Sequence, residues 1–296
     1  MTKSIAQPVN LDNCIALVTG GGSGIGRSLA IEIAKATPSE NSGNAAIIIA
    51  DIRFGAAQET AASLKKLGAT AVAFECDISN EEDVARLAKK INSLFGKLNL
   101  LFNVAGVTLT NALHDTNAND IEWLFSVNVF GACNTLRHFI PLLKNAAASD
   151  QTAHIVNFSS GFGIAVPSMG PVQPSAYAGT KHALVGLSDA MRQELQPDGV
   201  GVSVVCSGPV DTNAWNSLSF RQERFGGPIE RAIESKKDIG AWGLTAEETA
   251  NFVLSGLCDG DFFILPLSDS GHIQMRDSLQ ARYNELNQAL GKSSKS

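Results

Sequence analysis

The sequence predicts an α/β fold of the doubly wound type: a parallel sheet of seven strands with helices on both faces. Two observations carry that expectation. Short apolar runs, of the kind buried on both faces of a sheet, alternate with stretches of helical periodicity along most of the chain, which implies right-handed crossovers. The polar residues that interrupt this pattern fall at the carboxyl ends of successive strands, where such sheets bind their ligands.

The first strand is expected at residues 14–18, followed by Thr19, Gly20, Gly21, Gly22, Ser23, Gly24, Ile25 and Gly26. Ile25, Leu29 and Ile33 then form a helical stripe that Pro38 stops. Glycines let the backbone approach a pyrophosphate, and the helix N-terminus adds unpaired amides and partial positive charge. A glycine cluster alone is weak evidence, since many such clusters are ordinary loops; its place between strand and helix gives it weight. The second strand, 46–50, ends in Asp51. A carboxylate there accepts hydrogen bonds from both hydroxyls of an adenosine ribose and repels the extra phosphate of NADP, so the sequence leans towards NAD. Arg53 and Arg27 stand against this as candidate phosphate partners. Residues 37–44 form a polar insert that reads as a surface loop.

A helix over 54–67 and a strand over 70–75 continue the alternation. Asp77 either caps locally or meets an adenine amino group. Ser79 or Asn80 caps the next helix, with Glu81, Glu82 and Asp83 in its first turn where carboxylates suit the dipole. Strand four, 98–104, runs into Asn103, Val104, Ala105 and Gly106, small enough for the backbone to lie close to a ligand. In the helical stretch 119–145, Asn128 stands among apolar residues, so its amide stabilises a main-chain kink or belongs to a site. Pro141 predicts a bend or an end there. Strand five, 154–158, delivers Ser159 and Ser160 to the same sheet edge; Asn157, Phe158 and Ser159 spell a glycosylation sequon, discounted because the strand reads as buried.

After a Gly- and Pro-rich loop, a helix starting at Ser175 or Ala176 carries Tyr177 and Lys181. Spacing of four puts them on one face, one turn apart. A cation there favours the phenolate and makes the phenol proton exchangeable nearer neutral pH, which suits acid/base work on a carbonyl or alcohol oxygen. Read alone, the pair equally flanks a surface helix. Strand six, 200–206, leads to Ser207, Gly208, Pro209, Val210, Asp211 and Thr212. Thr245 and Glu248 form a capping-box pattern opening a helix to Leu257, and strand seven spans 262–265 before Pro266. Residues 270–290 read as an amphipathic helix with Ile273, Leu279, Tyr283, Leu286 and Leu290 on its apolar side, covering either the core or a neighbouring subunit; 291–296 are expected to be disordered.

With 296 residues, 44% hydrophobic and 18% charged, the chain is expected to form one soluble domain. A net charge of -6 argues against nucleic-acid or anionic-membrane partners. No apolar run is long enough to span a bilayer and the start lacks a signal-peptide core, so a cytoplasmic location is the expectation. Cys14, Cys76, Cys133, Cys206 and Cys258 are scattered and odd in number, which suggests neither disulfides nor zinc. No His/carboxylate cluster suggests any other metal, His272 included.

In family order, these motifs closely resemble the short-chain dehydrogenase/reductase family over residues 12–265: Thr19 to Gly26, Asp51, Asp77, Asn103 with Ala105 and Gly106, Asn128, Ser159 and Ser160, Tyr177 with Lys181, and Val210 with Thr212. The resemblance implies a Rossmann-type single catalytic domain and an oxidoreductase. In it Tyr177 is the general acid/base, Ser160 hydrogen-bonds the substrate oxygen (Ser159 being the alternative), Lys181 lowers the Tyr177 pKa and holds the nicotinamide ribose, and Asn128 supports a proton-carrying water chain. The implied cofactor contacts are Gly20, Ser23, Gly24, Ile25, Gly26, Asp51, Asp77, Ile78, Asn103, Ala105, Tyr177, Lys181, Val210 and Thr212. Three departures stand out: Val104 in place of a second Asn, Ser207 in place of a Pro, and a longer interval before Tyr177 through residues 169–173.

The expected reaction is NAD-dependent interconversion of a secondary alcohol and a ketone. The alternatives are an NADPH-dependent carbonyl reductase and a non-catalytic dinucleotide sensor, which the complete catalytic set disfavours. A substrate lid is expected at 213–243, where Trp215, Phe220, Phe225 and Trp242 either line an apolar pocket or pack the lid down. Arg221, Arg224, Arg231, Lys236 and Lys237 there read as a solvated face or a carboxylate site. The family implies a homodimer or homotetramer built on the helices of Asn128 and Tyr177, and Ala183, Leu184, Leu187 and Met191 fit such an interface.

Overall fold

The computed structural model describes residues 8–37, 46–166, 173–230 and 243–293. Its strands are β1 Ile15–Thr19, β2 Ala46–Asp51, β3 Ala71–Glu75, β4 Leu100–Asn103, β5 His154–Phe158, β6 Gly201–Val205, β7 Val210–Asp211, β8 Leu244–Thr245 and β9 Phe263–Ile264. Seven of them form one parallel sheet in the order β3-β2-β1-β4-β5-β6-β9, and β7 with β8 makes a separate two-stranded parallel ribbon that the sequence did not announce. Two-residue strands carry too few side chains to show a period.

Alternate residues of each central strand feed two different cores. Ile15, Leu17, Ile48, Leu101 and Ile155 point one way, Ala16, Val18, Ile49, Leu100 and Val156 the other. Helices α1 Gly24–Ala36, α2 Phe54–Lys66 and α7 Ala246–Asp259 cover the second core. Helices α3 Glu81–Phe95, α4 Ala118–Phe125, α5 Gly131–Ala147 and α6 Ser175–Glu194 cover the first. This two-sided burial is why the strands read as unbroken apolar runs. The strand order reverses at β1, where Thr19 lies opposite Ala50 on one side and Asn103 on the other. The turns after β1, β2 and β4 therefore emerge together at one edge, the crevice in which doubly wound sheets bind ligands.

Several elements differ from expectation. The stretch 119–145 is not one helix: α4 and α5 are joined by a π-helical segment, Ser126–Phe130, with Asn128 at its centre. The interruption lies there and not at Pro141, which α5 passes on its way to Ala147. Asn80, not Ser79, caps α3, accepting from the Glu82 amide at 3.0 Å. The last helix, α8 Asp269–Ser293, is longer than read, and its expected apolar side does not cover the core: Ile273, Leu279, Tyr283, Leu286 and Leu290 are all exposed. Among the described side chains of this helix only Met275 is buried, in a small cluster with Ala165 and Leu267. On α6, Leu184 and Met191 belong to the chain's own core, so of the four residues fitted to an interface only exposed Ala183 and half-buried Leu187 remain available. Trp242, Arg231, Lys236, Lys237, residues 169–172 and most of the 37–44 insert lie outside the described residues.

Candidate active site

The glycine turn is fitted to close approach. A Cβ at Gly26 would stand 2.4 Å from the Gly20 carbonyl oxygen, and one at Gly22 would stand 2.8 Å from Asp51 Oδ2. Gly24 has φ of +52°, in the left-handed region that other residues rarely adopt. Ser23 at the N-cap of α1 makes no side-chain cap bond and the first turn holds no acidic residue, so its amides remain open to an anion. Thr19 Oγ1 receives the Val104 and Ala105 amides at 3.1 and 3.2 Å, which ties the loop after β4 beside the turn. The Val104 departure thus costs nothing here, because its backbone is what is held.

Asp51 is buried at the end of β2 and accepts the Gly22 amide at 2.9 Å and the Arg53 amide at 2.9 Å. The Arg53 guanidinium lies 3.7 Å from Asp51 Oδ1, donates to Ser23 Oγ at 2.7 Å, and stacks 4.3 Å over the Phe220 ring. Arg27 is exposed on α1. Asp77 does bond locally, taking the Ser79 amide at 3.0 Å, and it pairs with Arg224 at 3.1 Å. Asp51, Arg53, Asp77 and Phe220, with Ile78 and Ala105, line a groove of about 180 Å³.

The Asn103 side chain turns away from this groove: Thr135 Oγ1 donates to its Oδ1 at 2.8 Å, and its Nδ2 donates to Asn157 Oδ1 at 2.9 Å, which leaves its backbone as what it could offer a cofactor. Asn157 in turn donates to Ser188 Oγ at 2.9 Å. The four side chains are buried and link α5, β4, β5 and α6. Asn157, fully buried in this chain, offers nothing for glycosylation.

A second cavity, of about 350 Å³, opens beside the groove. The two share Ile25, Val104, Gly106, Val107, Thr212 and Ala214 as walls, so they form one continuous cleft. Ser160, Tyr177 and Lys181 line the second cavity. Ser160 lines the cavity with Tyr177 and accepts the Phe162 amide at 3.3 Å, whereas Ser159 donates to the Lys181 carbonyl at 2.9 Å and lies under Gly163, where a Cβ would clash with its oxygen. Ser159 is thereby tied to the backbone.

Lys181 is buried, donates to the Phe158 carbonyl at 2.9 Å and sits 5.7 Å from the Tyr177 ring centre. Burial lowers its pKa to about 8. Burial also raises the Tyr177 pKa, and the Ser160 hydrogen bond offsets this only in part. The depression of the phenol expected from Lys181 is therefore not seen in the protein alone: the Tyr177 pKa lies above its ordinary value, with desolvation the largest cause. Asn128 spends its amide on the backbone of Val107, accepting from its N–H at 2.8 Å and donating to its C=O at 2.9 Å, with a further bond to Thr180 at 3.1 Å. Its side chain acts as a pin for the loop after β4. The Ser207 carbonyl accepts the Gly161 amide at 2.8 Å, so this departure is held by main-chain bonding. Cys206 nearby is fully buried and its thiol is pushed up to about 12.

The lid is only partly what its residues suggested. Trp215 lines the substrate-side cavity, Phe220 faces the cofactor groove, and Phe225 is buried in the core. Arg221 is a buried ion-pair partner of Asp120 and Arg224 is held by Asp77, so neither is a carboxylate site in the cavity. Sequence reasoning missed the wall formed by Leu267, Gly271, Gln274 and Met275, which carries no motif.

The family model for short chain dehydrogenase matches residues 14–223. The chain belongs to this family. A C alpha-dehydrogenase of Sphingobium sp. is 30% identical to this short-chain dehydrogenase over 92% of the chain and 85% of that protein. Human estradiol 17-beta-dehydrogenase 11 is 36% identical over 67% of the chain and 62% of its own length. A short-chain dehydrogenase/reductase from Burkholderia phymatum solved in complex with NAD is 27% identical, covers 94% of this chain and 96% of its own, and superposes with a TM-score of 0.79.

Proposed function

We propose that this short-chain dehydrogenase interconverts a secondary alcohol and a ketone with NAD. The observation that carries the reading is that Ser160, Tyr177 and Lys181 line one cavity, Lys181 5.7 Å from the Tyr177 ring centre, and that this cavity is continuous with the glycine-turn groove. The residues present fit a dinucleotide: the open amides of α1 suit its pyrophosphate and the Asp51 carboxylate suits its adenosine ribose. When bound, the nicotinamide supplies hydride chemistry. Ser160 and Tyr177 hold the substrate oxygen, and Tyr177 gives that oxygen its proton in reduction or takes it in oxidation. Because burial keeps the phenol protonated, the site is set as an acid at neutral pH. The reduction rate should fall, and the oxidation rate rise, as pH climbs through the Tyr177 pKa.

The cavity walls are mostly apolar and include Trp215 and Phe162, which supports a substrate with an apolar or aromatic body. Tyr177→Phe should lower turnover at least about 10²-fold while NADH affinity, read by fluorescence, stays within about twofold. Undiminished turnover would sink the mechanism. Arg53 beside Asp51 favours a second reading, an NADPH-dependent carbonyl reductase; tighter binding of NADPH than of NADH would select it. We also read the enzyme as a cytoplasmic homo-oligomer, a state that light scattering of the purified chain decides.

A further inference from the structure

The match to the family model ends at residue 223, yet the cavity that holds Ser160 and Tyr177 is closed by residues beyond it. Leu267, Gly271, Gln274 and Met275 line it from the first two turns of α8 and the approach to them. We propose that this end of the C-terminal helix is the specificity wall of the substrate site: Met275 limits the size of the substrate body, and Gln274 hydrogen-bonds a neutral oxygen substituent on it. The proposal rests on the reading of this cavity as the substrate site.

Three contacts fix the helix to the catalytic elements. Met275 is buried against the serine loop, where a Cβ on Gly161 would meet its Cε at 2.5 Å. Arg282 Nη1 donates to the Ile164 carbonyl of the same loop at 3.1 Å. The same group lies 3.1 Å from Nε2 of His182, the residue after Lys181 on α6. The wall is therefore built on the two elements that carry Ser160 and Tyr177, and its side chains are placed relative to the reacting atoms.

The chemistry of the lining limits the ligand. Among the described residues its only ionisable side chains are Tyr177 and Lys181, and the wall of Leu267, Gly271, Gln274 and Met275 carries no charge. An anionic substituent docked against that wall would be buried without a cation beside it, which is costly. This part of the cavity therefore suits a neutral body. Gln274 is exposed where it lines the cavity and has no hydrogen-bond partner among the described residues, so its amide is free to serve a ligand oxygen. Met275 and Leu267 beside it are apolar and buried, which suits a ring or alkyl body.

The test uses the full-length enzyme with α-methylbenzyl alcohol and its para-hydroxy and para-tert-butyl analogues, NADH affinity being followed in parallel. In Gln274→Leu, the kcat/KM ratio of the para-hydroxy alcohol to the parent should fall about three- to tenfold, through KM, as expected for one neutral hydrogen bond. In Met275→Ala, the ratio of the para-tert-butyl alcohol to the parent should rise at least about threefold, whereas Met275→Leu, which keeps the volume, should not shift it. Unchanged ratios in Gln274→Leu and Met275→Ala, or a drop common to all three alcohols with weakened NADH binding, would overturn the assignment and show a helix that only braces the fold. Failure of the underlying reading looks different: wild-type turnover would then survive Tyr177→Phe.

Discussion

Lys181 carries a cost that only function explains. Its ammonium is buried with one carbonyl for a partner, and its pKa falls from the ordinary 10.5 to about 8. A base whose folded pKa is depressed binds its proton more weakly in the native state, so it destabilises the fold wherever it remains charged. Lys181→Met should therefore abolish turnover yet raise the stability of the cofactor-free protein by about 1–2 kcal/mol near neutral pH, the lost bond to Phe158 offsetting part of the gain. The advantage should shrink as pH rises from about 8 to 10.5, as the native lysine sheds its charge first. Urea midpoints across that range measure it. An equal or lower midpoint for the variant at neutral pH would show that the ammonium is better solvated than its burial implies.

At the scale of elements, the π-helical Ser126–Phe130 segment and the loop after β4 form one device. The extra residue in that turn aims Asn128 at Val107, and the Asn128 amide then completes both main-chain groups of that residue. Asn128→Ala should cost about 2–3 kcal/mol, since it strands a partly buried N–H and C=O together; a chemical-denaturation midpoint reads this, and a loss under about 0.5 kcal/mol would contradict the pin. The sequence showed that Asn128 had to find partners, because a polar residue among apolar ones is visible in one dimension. It offered two places for a break, a kink at Asn128 and a bend or end at Pro141, without choosing between them. Pro141 was the louder signal, but α5 accommodates it, whereas a π turn depends on a contact 21 residues away. The same reason hid Thr135, Ser188 and the Arg53 stack on Phe220: each gains its meaning from a partner distant in the chain. Motif residues at strand ends were legible because the sheet's own period places them.

For the whole molecule, the parallel seven-stranded sheet and its two-sided burial followed from the apolar runs, while the outer surface did not. The residues of α8 from Leu279 to Leu290 have helical spacing whatever they face, so an exposed stripe and a buried one read alike. Acid stability is set deeper, at the pairing of β5 with β6. His154 is buried there with Nε2 2.9 Å from Ser203 Oγ; the Ser203 proton goes to the Asp261 carbonyl, so Nε2 carries the hydrogen and the ring is neutral. Burial lowers its pKa from 6.5 to about 4. The stability this neutral ring allows is present above pH 6.5 and is lost as pH falls towards 4, by on the order of 3 kcal/mol. His154→Gln should flatten that limb of the stability profile; an unchanged acid limb would place the titrating group elsewhere. The buried chain Thr135, Asn103, Asn157 and Ser188 has a further consequence, for descent instead of stability. Replacing one member by an apolar residue leaves its neighbours unpaired away from water, which costs about 1–3 kcal/mol, whereas replacing adjoining members together does not. Any lineage that abandons this ladder must cross a valley of weakened intermediates or change several codons at once, so the four positions should be inherited as a block.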